Sequence, residues 1–204
     1  MFVPIEEKLK KIIPNVDQHD EFEYYKQILP KMIANGHAAH QTIPGYKDCK
    51  PEIEAFRWFD NINIPVHGYC DLKGKVIIED KCKFPKRGRV KKDGTRSWLT
   101  NKLPEEKPDS FHLLQIDFYY SVFKLPVYIC YINEESYKVF SADNCDDLKP
   151  ENIEKRIPKI VQRCKIRQNL MKLSTDPNVV KDYIQPQFDH YFWRNEMEED
   201  YLTD

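Results

Sequence analysis

Six polar side chains in this 204-residue chain have the types and spacings that phosphate chemistry would need. Glu79 and Lys81 follow the aliphatic run Val76-Ile77-Ile78, which reads as a buried strand. Side chains alternate along a strand, so Glu79 and Lys81 share one face and Asp80 points to the other. An acid and an ammonium there are costly to desolvate without partners or a task. Asp71, near the end of the preceding strand, offers a second carboxylate. Two carboxylates converging from neighbouring strands can hold a hard cation such as Mg²⁺ through oxygen. A nearby lysine can then orient or deprotonate a water, or offset charge on a phosphate. Gln115 and Tyr119, four residues apart, share a face of a predicted helix, where an amide and a phenol could contact phosphate or the water around a metal. His40, which with Gly36 closes an early helix, is a candidate metal-side residue. The plainer alternatives are a surface ion pair for the acid-x-Lys triplet and core packing for the tyrosine.

The elements that must position these residues follow from periodicity. Residues 18–41 carry apolar side chains at helical spacing, with Pro30 predicted to kink or divide the segment. Residues 52–59 alternate as a strand, with Glu54, Phe56 and Trp58 on one face. Two strand-like runs, 64–72 and 75–84, meet at Lys73-Gly74. A two-residue turn there would set Asp71 against Val76, on the face away from Glu79; only a three-residue loop or a bulge brings Asp71 to Glu79. Residues 86–106 read as a basic loop. A helix over 111–123 follows an N-cap at Asp109-Ser110, with Leu114, Phe118 and Val122 as its core stripe. A hairpin over 126–133 and 136–141 comes next. A long basic helix over 150–173 is expected to break near Pro158, and an aromatic, acidic extension closes the chain at 177–204. This order describes an α/β (α+β) domain with a central mixed sheet flanked by helices, its core over about 18–175.

The order of these short motifs is more informative than any one of them. Gly36-x-x-x-His40, Glu54 on a strand, Gly68-x-x-Asp71, Glu79-x-Lys81 and Gln115-x-x-x-Tyr119 resemble the motif series of the PD-(D/E)xK nuclease superfamily. The branch they are most similar to is that of the RecB-type and phage exonucleases. The resemblance spans about residues 36 to 120, and Asp71 lacks the preceding proline of the superfamily's name. It implies a restriction-endonuclease-like core and Mg²⁺-dependent hydrolysis of DNA from its ends, in phage or viral recombination and repair, with Mn²⁺ as a substitute. On this resemblance Asp71, Glu79, Lys81, Gln115 and Tyr119 are catalytic. His40, Asp71 and Glu79 are metal ligands, with Glu54 as an additional acid. Partners would be linear duplex or single-stranded DNA ends, with a single-strand-annealing or single-strand-binding protein; self-association is open. An inactive nucleic-acid-binding or interaction module on the same fold, or a site-specific endonuclease, is the alternative. Some RecB-type members carry an iron–sulfur cluster on clustered cysteines. The scattered Cys49, Cys70, Cys82, Cys130, Cys145 and Cys164 do not match, so no cluster is expected.

Composition bounds the partners. Apolar residues at 41% and charged residues at 32% exclude disordered, collagen-like and membrane-embedded chains. No apolar run reaches a membrane-spanning length of about eighteen residues, and the charged start lacks a signal core. A soluble, cytoplasmic protein with no membrane partner is therefore expected, in the host cytoplasm if phage-encoded. Net charge is −1, but the sum conceals the distribution. Lys83, Lys86, Arg87, Arg89, Lys91, Lys92 and Arg96 follow Lys81 with only Asp93 against them, a footprint suited to a polyanion such as DNA. Trp98, Tyr119 and Tyr120 offer rings on which unpaired bases could stack.

Overall fold

The computed structural model describes residues 19–90, 92, 96–174, 176 and 179. Among these residues the fold is α+β, with a five-stranded mixed sheet and three α-helices. Helix α1 (His19–Gln41) is followed by strands β1 (Lys50–Arg57), β2 (Val66–Lys73) and β3 (Ile77–Cys82). A separate ribbon, β4 (Lys86–Val90) with β5 (Arg96–Leu99), precedes helix α2 (Ser110–Phe123). Strands β6 (Val127–Ile132) and β7 (Tyr137–Phe140) and helix α3 (Pro150–Leu173) complete the described strands and α-helices, and short 3-10 turns lie at Tyr46–Asp48 and Asp146–Leu148. The sheet order is β1-β2-β3-β6-β7. β3 and β6 are parallel and the other neighbours antiparallel. A parallel pair needs a long crossover, which the ribbon and α2 supply.

The described residues fall into two compact units: 19–57 with 66–158, and 58–65 with those from Lys159 onward. In the first, α1 covers one sheet face, where Ile28, Met32, Ala39 and Ile43 pack with Ile78, Cys130 and Ile132. On the other face, Gly68 lies under the α2 residues Phe118 and Tyr119. A Cβ at Gly68 would come within 3.3 Å of the Tyr119 ring, so the glycine permits this close approach. In the second unit, Phe59, Ile62 and Ile160 are buried, and the Asn63 N–H donates to Gln168 Oε1 at 2.7 Å.

Several elements differ from their sequence-based expectation. Pro30 and Pro158 lie inside continuous helices: each removes one backbone donor, but flanking turns carry the helix through. The basic segment expected as a loop forms the β4–β5 ribbon, with a register shift between Arg87 and Val90. Lys91 and almost all of 177–204 lie outside the described residues. On α2, Leu113 and Ile116 are buried along with Phe118, whereas Leu114 and Val122 are only half-buried. Burial reaches further around the helix than one stripe, because Asp117, Tyr119 and Ser121 also point inward.

Asp117 is fully buried, and the Arg156 guanidinium of α3 grips it with two hydrogen bonds, Nη2 to Oδ1 at 2.7 Å and Nε to Oδ2 at 2.9 Å. Arg156 Nη2 also donates to the Asp147 carbonyl at 2.6 Å. Lys124 and Glu154 pair on the surface, each about half exposed. Removing one partner of a buried pair strands the other charge, so Arg156→Ala should cost about 3–5 kcal/mol. Glu154→Ala should cost only about 0–1 kcal/mol. Urea denaturation of the two variants checks this, and equal midpoints would contradict the structural role of the buried pair.

Candidate functional site

The site forms where β2 and β3 part. Their ladder holds two pairs, Lys73 with Ile77 and Leu72 with Ile78, so Gly74, Lys75 and Val76 make a three-residue loop. Continued by one step, this register would set Asp71 opposite Glu79, but the ladder ends at Leu72–Ile78. Gly74 closes the loop against the Asp48 carbonyl, which a Cβ would approach to 2.9 Å. Pairing then stops, and Asp71 Oδ2 takes the Asp80 N–H at 2.7 Å in place of a main-chain carbonyl. On the other side of Asp71, the β1–β2 ladder skips the position of Glu52, whose φ is 51°. A left-handed glutamate costs about 1–2 kcal/mol. The irregularity sits directly across from the carboxylate.

Glu79 is 2% exposed and belongs to a closed network. Lys81 Nζ donates to Glu79 Oε1 at 2.7 Å and to Gln115 Oε1 at 2.8 Å. Gln115 Nε2 donates to the same Glu79 oxygen at 2.6 Å and to the Tyr119 hydroxyl at 2.9 Å. The Tyr119 O–H donates to the Tyr69 carbonyl, beneath Gly68. Glu79 Oε2 is buried with no hydrogen-bond partner among the described residues. Burial raises the Glu79 pKa, opposed by the Lys81 ammonium; burial also raises that of Asp71, opposed by the Asp80 N–H. Burial and the nearby Glu79 charge hold the Tyr119 phenol up at about 12, although the Gln115 bond lowers it. Tyr119 is 2% exposed, so it lies in the core rather than at the border of a cleft.

His40 and Glu54 do not join this network. His40 Nε2 contacts both Asp80 carboxylate oxygens, at 2.9 and 3.0 Å. Asp80 alternates with Glu79 and so faces α1 rather than α2. Glu54 is exposed and pairs with His67 at 2.9 Å. Lys83 is engaged by Asp109 at 2.6 Å. Of the rings proposed for base stacking, Trp98 lies flat on Tyr24 with centroids 4.0 Å apart, and Lys124 sits over Tyr120.

His112 belongs to the site's surroundings, although no sequence motif includes it. It lies one turn before Gln115, and its Nδ1 is 2.6 Å from the Tyr131 hydroxyl. That hydroxyl accepts the Asp109 N–H at 2.9 Å. Burial first, then the Lys81 and Lys83 charges, lower the His112 pKa to about 4. At neutral pH the imidazole is uncharged, so Nδ1 can accept the Tyr131 O–H. Its three-residue spacing from Gln115 is the signal that the sequence offers.

Glu79 Oε2 and the Asp71 carboxylate present oxygen donors at the strand gap, one of them buried without a partner among the described residues. That donor chemistry fits a hard divalent cation. No protein-family model and no curated protein matches the chain. A solved structure described as "Crystal structure of SSO0001" is similar at 15% identity and a TM-score of 0.38, over 80% of this chain and 70% of that one. A likeness this distant carries no argument about the site.

The pKa directions give a pH prediction. A raised carboxyl pKa means that the folded state holds its proton more tightly than the unfolded chain does. The stability from Asp71 and Glu79 is thus fully present below their ordinary values of 3.8 and 4.5 and is lost as pH rises through the folded values. Relative to wild type, the double variant Asp71→Asn, Glu79→Gln should therefore gain stability as pH rises from about 4 to 8, in chelator-treated protein. Urea denaturation across that range tests it; parallel curves would contradict the cost of ionising these groups.

Proposed function

We propose that this protein is a Mg²⁺-dependent deoxyribonuclease that hydrolyses phosphodiester bonds from DNA ends. The observation that carries the reading is the buried Glu79–Lys81–Gln115–Tyr119 network beside Asp71 at the parting of β2 and β3. It joins two sequence motifs that are far apart along the chain, Glu79-x-Lys81 and Gln115-x-x-x-Tyr119. Asp71 and Glu79 would hold the cation. When bound, such a cation offsets charge on the phosphate and lowers the pKa of a water.

The side chains then divide the remaining work. Glu79 Oε1 and Gln115 Oε1 fix Lys81 by two of its three N–H donors, leaving one for a substrate phosphate or the attacking water. Fixing the ammonium in advance lowers its reorganisation during reaction, which is how such groups contribute most. Gln115 orients both Glu79 and Lys81, and the Tyr119 hydroxyl anchors Gln115 to the β2 backbone. The β4–β5 ribbon follows the catalytic strand directly, and its basic residues suit a polyanionic strand approaching the site. Action from ends, and a place in DNA recombination and repair, rest on the motif resemblance.

Digestion of end-labelled linear DNA with and without Mg²⁺, beside a circular control, tests the proposal. Metal-dependent degradation of linear DNA alone is the expected result, and cleavage of the circle would point to an endonuclease. Glu79→Gln and Lys81→Met should each reduce the rate by at least about 100-fold without unfolding the protein. Tyr119→Phe keeps the ring but removes the hydroxyl that links Gln115 to the Tyr69 carbonyl, so it should slow cleavage and cost about 1–3 kcal/mol of stability. Full activity in Glu79→Gln would end the assignment. Neutralising Lys86, Arg87 and Arg89 should weaken DNA affinity and flatten its salt dependence, by roughly 0.7–0.9 of a counterion for each phosphate that is no longer neutralised. An unchanged salt slope would remove the ribbon from the DNA-binding surface.

A further inference from the structure

The face of β3 opposite Glu79 carries a second group of ligating side chains. The parallel β3–β6 register pairs Asp80 with Cys130, so their side chains lie next to each other on that face. His40 reaches them from the last turn of α1. One ligand atom from each of His40, Asp80 and Cys130 lies within 4.8 Å of the others. The Cys130 side chain is fully buried, the His40 side chain 11% exposed and that of Asp80 25% exposed. The Tyr46 ring packs against the imidazole at a centroid distance of 4.8 Å. His40 and Asp80 line a cavity of about 270 Å³ whose walls also include Gly36, Cys82, Phe84 and Ile132, with Cys130 behind them.

We propose that His40, Asp80 and Cys130 form a site for Zn²⁺, distinct from the oxygen-donor pair on the other face. The donors are an imidazole nitrogen, a carboxylate oxygen and a thiolate, a set that suits Zn²⁺ and disfavours Mg²⁺. Three protein ligands leave the fourth tetrahedral position to water, and the cavity provides room and access for it. Binding displaces the Cys130 thiol proton to solvent, and His40 coordinates through Nε2 as the neutral imidazole with its one proton on Nδ1, while Asp80 exchanges its hydrogen bond with His40 for a bond to the cation. Glu79 and Asp80 are adjacent in sequence, so a cation on Asp80 would also stiffen the strand that carries Glu79.

The full-length chain, treated with chelator and then titrated with ZnCl₂ or CoCl₂, provides the test. One Zn²⁺ per chain is expected at equilibrium, and Co²⁺ should give a thiolate-to-metal charge-transfer band with tetrahedral visible absorption. Cys130→Ala should abolish the charge-transfer band and weaken Zn²⁺ binding by more than about tenfold, whereas Cys82→Ser should leave both intact. His40→Asn keeps the thiol: the band should remain, with affinity lowered. It serves if Cys130→Ala fails to fold by circular dichroism. Glu79→Gln should bind Zn²⁺ as wild type does, which separates this site from the proposed nuclease centre whether or not the chain cleaves DNA. Failure of the wild-type chain to retain Zn²⁺, a band that survives in folded Cys130→Ala, a band abolished in Cys82→Ser, or Zn²⁺ binding abolished in Glu79→Gln would each overturn the proposal.

Discussion

A carboxylate buried on the third strand of the sheet sets the terms for the elements around it. Glu79 has almost no access to water, and an uncompensated charge there would be expensive. Lys81 supplies the opposite charge from the same strand, but two charges alone do not satisfy all their donors and acceptors. Gln115 bridges the two by giving its N–H to the acid and its carbonyl oxygen to the base, leaving Glu79 Oε2 as the acceptor without a partner among the described residues. This requires α2 to lie close over β2 and β3, which Gly68 permits and the Tyr119–Tyr69 hydrogen bond secures. The Asp117–Arg156 pair holds the same helix from its other side. One face of α2 thus serves the polar network and another serves an internal ion pair, which is why its burial is spread around so much of the helix.

The strand gap at Asp71 is the second constraint. Continuing the β2–β3 ladder would occupy the Asp80 N–H with a backbone carbonyl. Using the Asp71 carboxylate instead keeps that donor satisfied while the strands separate, and one Asp71 oxygen is left over. Glu52 absorbs the backbone irregularity next door. Buried polarity and local backbone strain therefore coincide at one place.

Much of this is legible in the sequence because it depends on local periodicity. Strand alternation is enough to place Glu79 with Lys81, and helical spacing is enough to place Gln115 with Tyr119. The parity of the hairpin reduces the position of Asp71 to a choice between loop lengths, and the three-residue loop is found. What the sequence does not disclose depends on register between distant segments. Asp80 meets Cys130 only because β3 runs parallel to β6, and His40 meets Asp80 only because α1 packs on that face. Arg156 finds Asp117 through the packing of two helices. Local propensity alone predicts breaks at Pro30 and Pro158, because it leaves out the support of the flanking turns. The basic ribbon reads as a loop because its apolar alternation is weak.

The parallel pairing of β3 with β6 has a kinetic consequence. Ile77 pairs with Val127, so the central strands are joined across a stretch that includes the ribbon and α2. Local hairpins such as β1–β2 and β6–β7 can close early, but the β3–β6 pairing must first overcome the entropy of ordering a long intervening segment. The side chains that bury Glu79 and Lys81 come from that segment. Until it docks, the acid and the base remain hydrated, and the cost of removing their water is met only as the long-range pairing forms. Loop-closure entropy thus favours the local hairpins forming ahead of the polar centre that they frame.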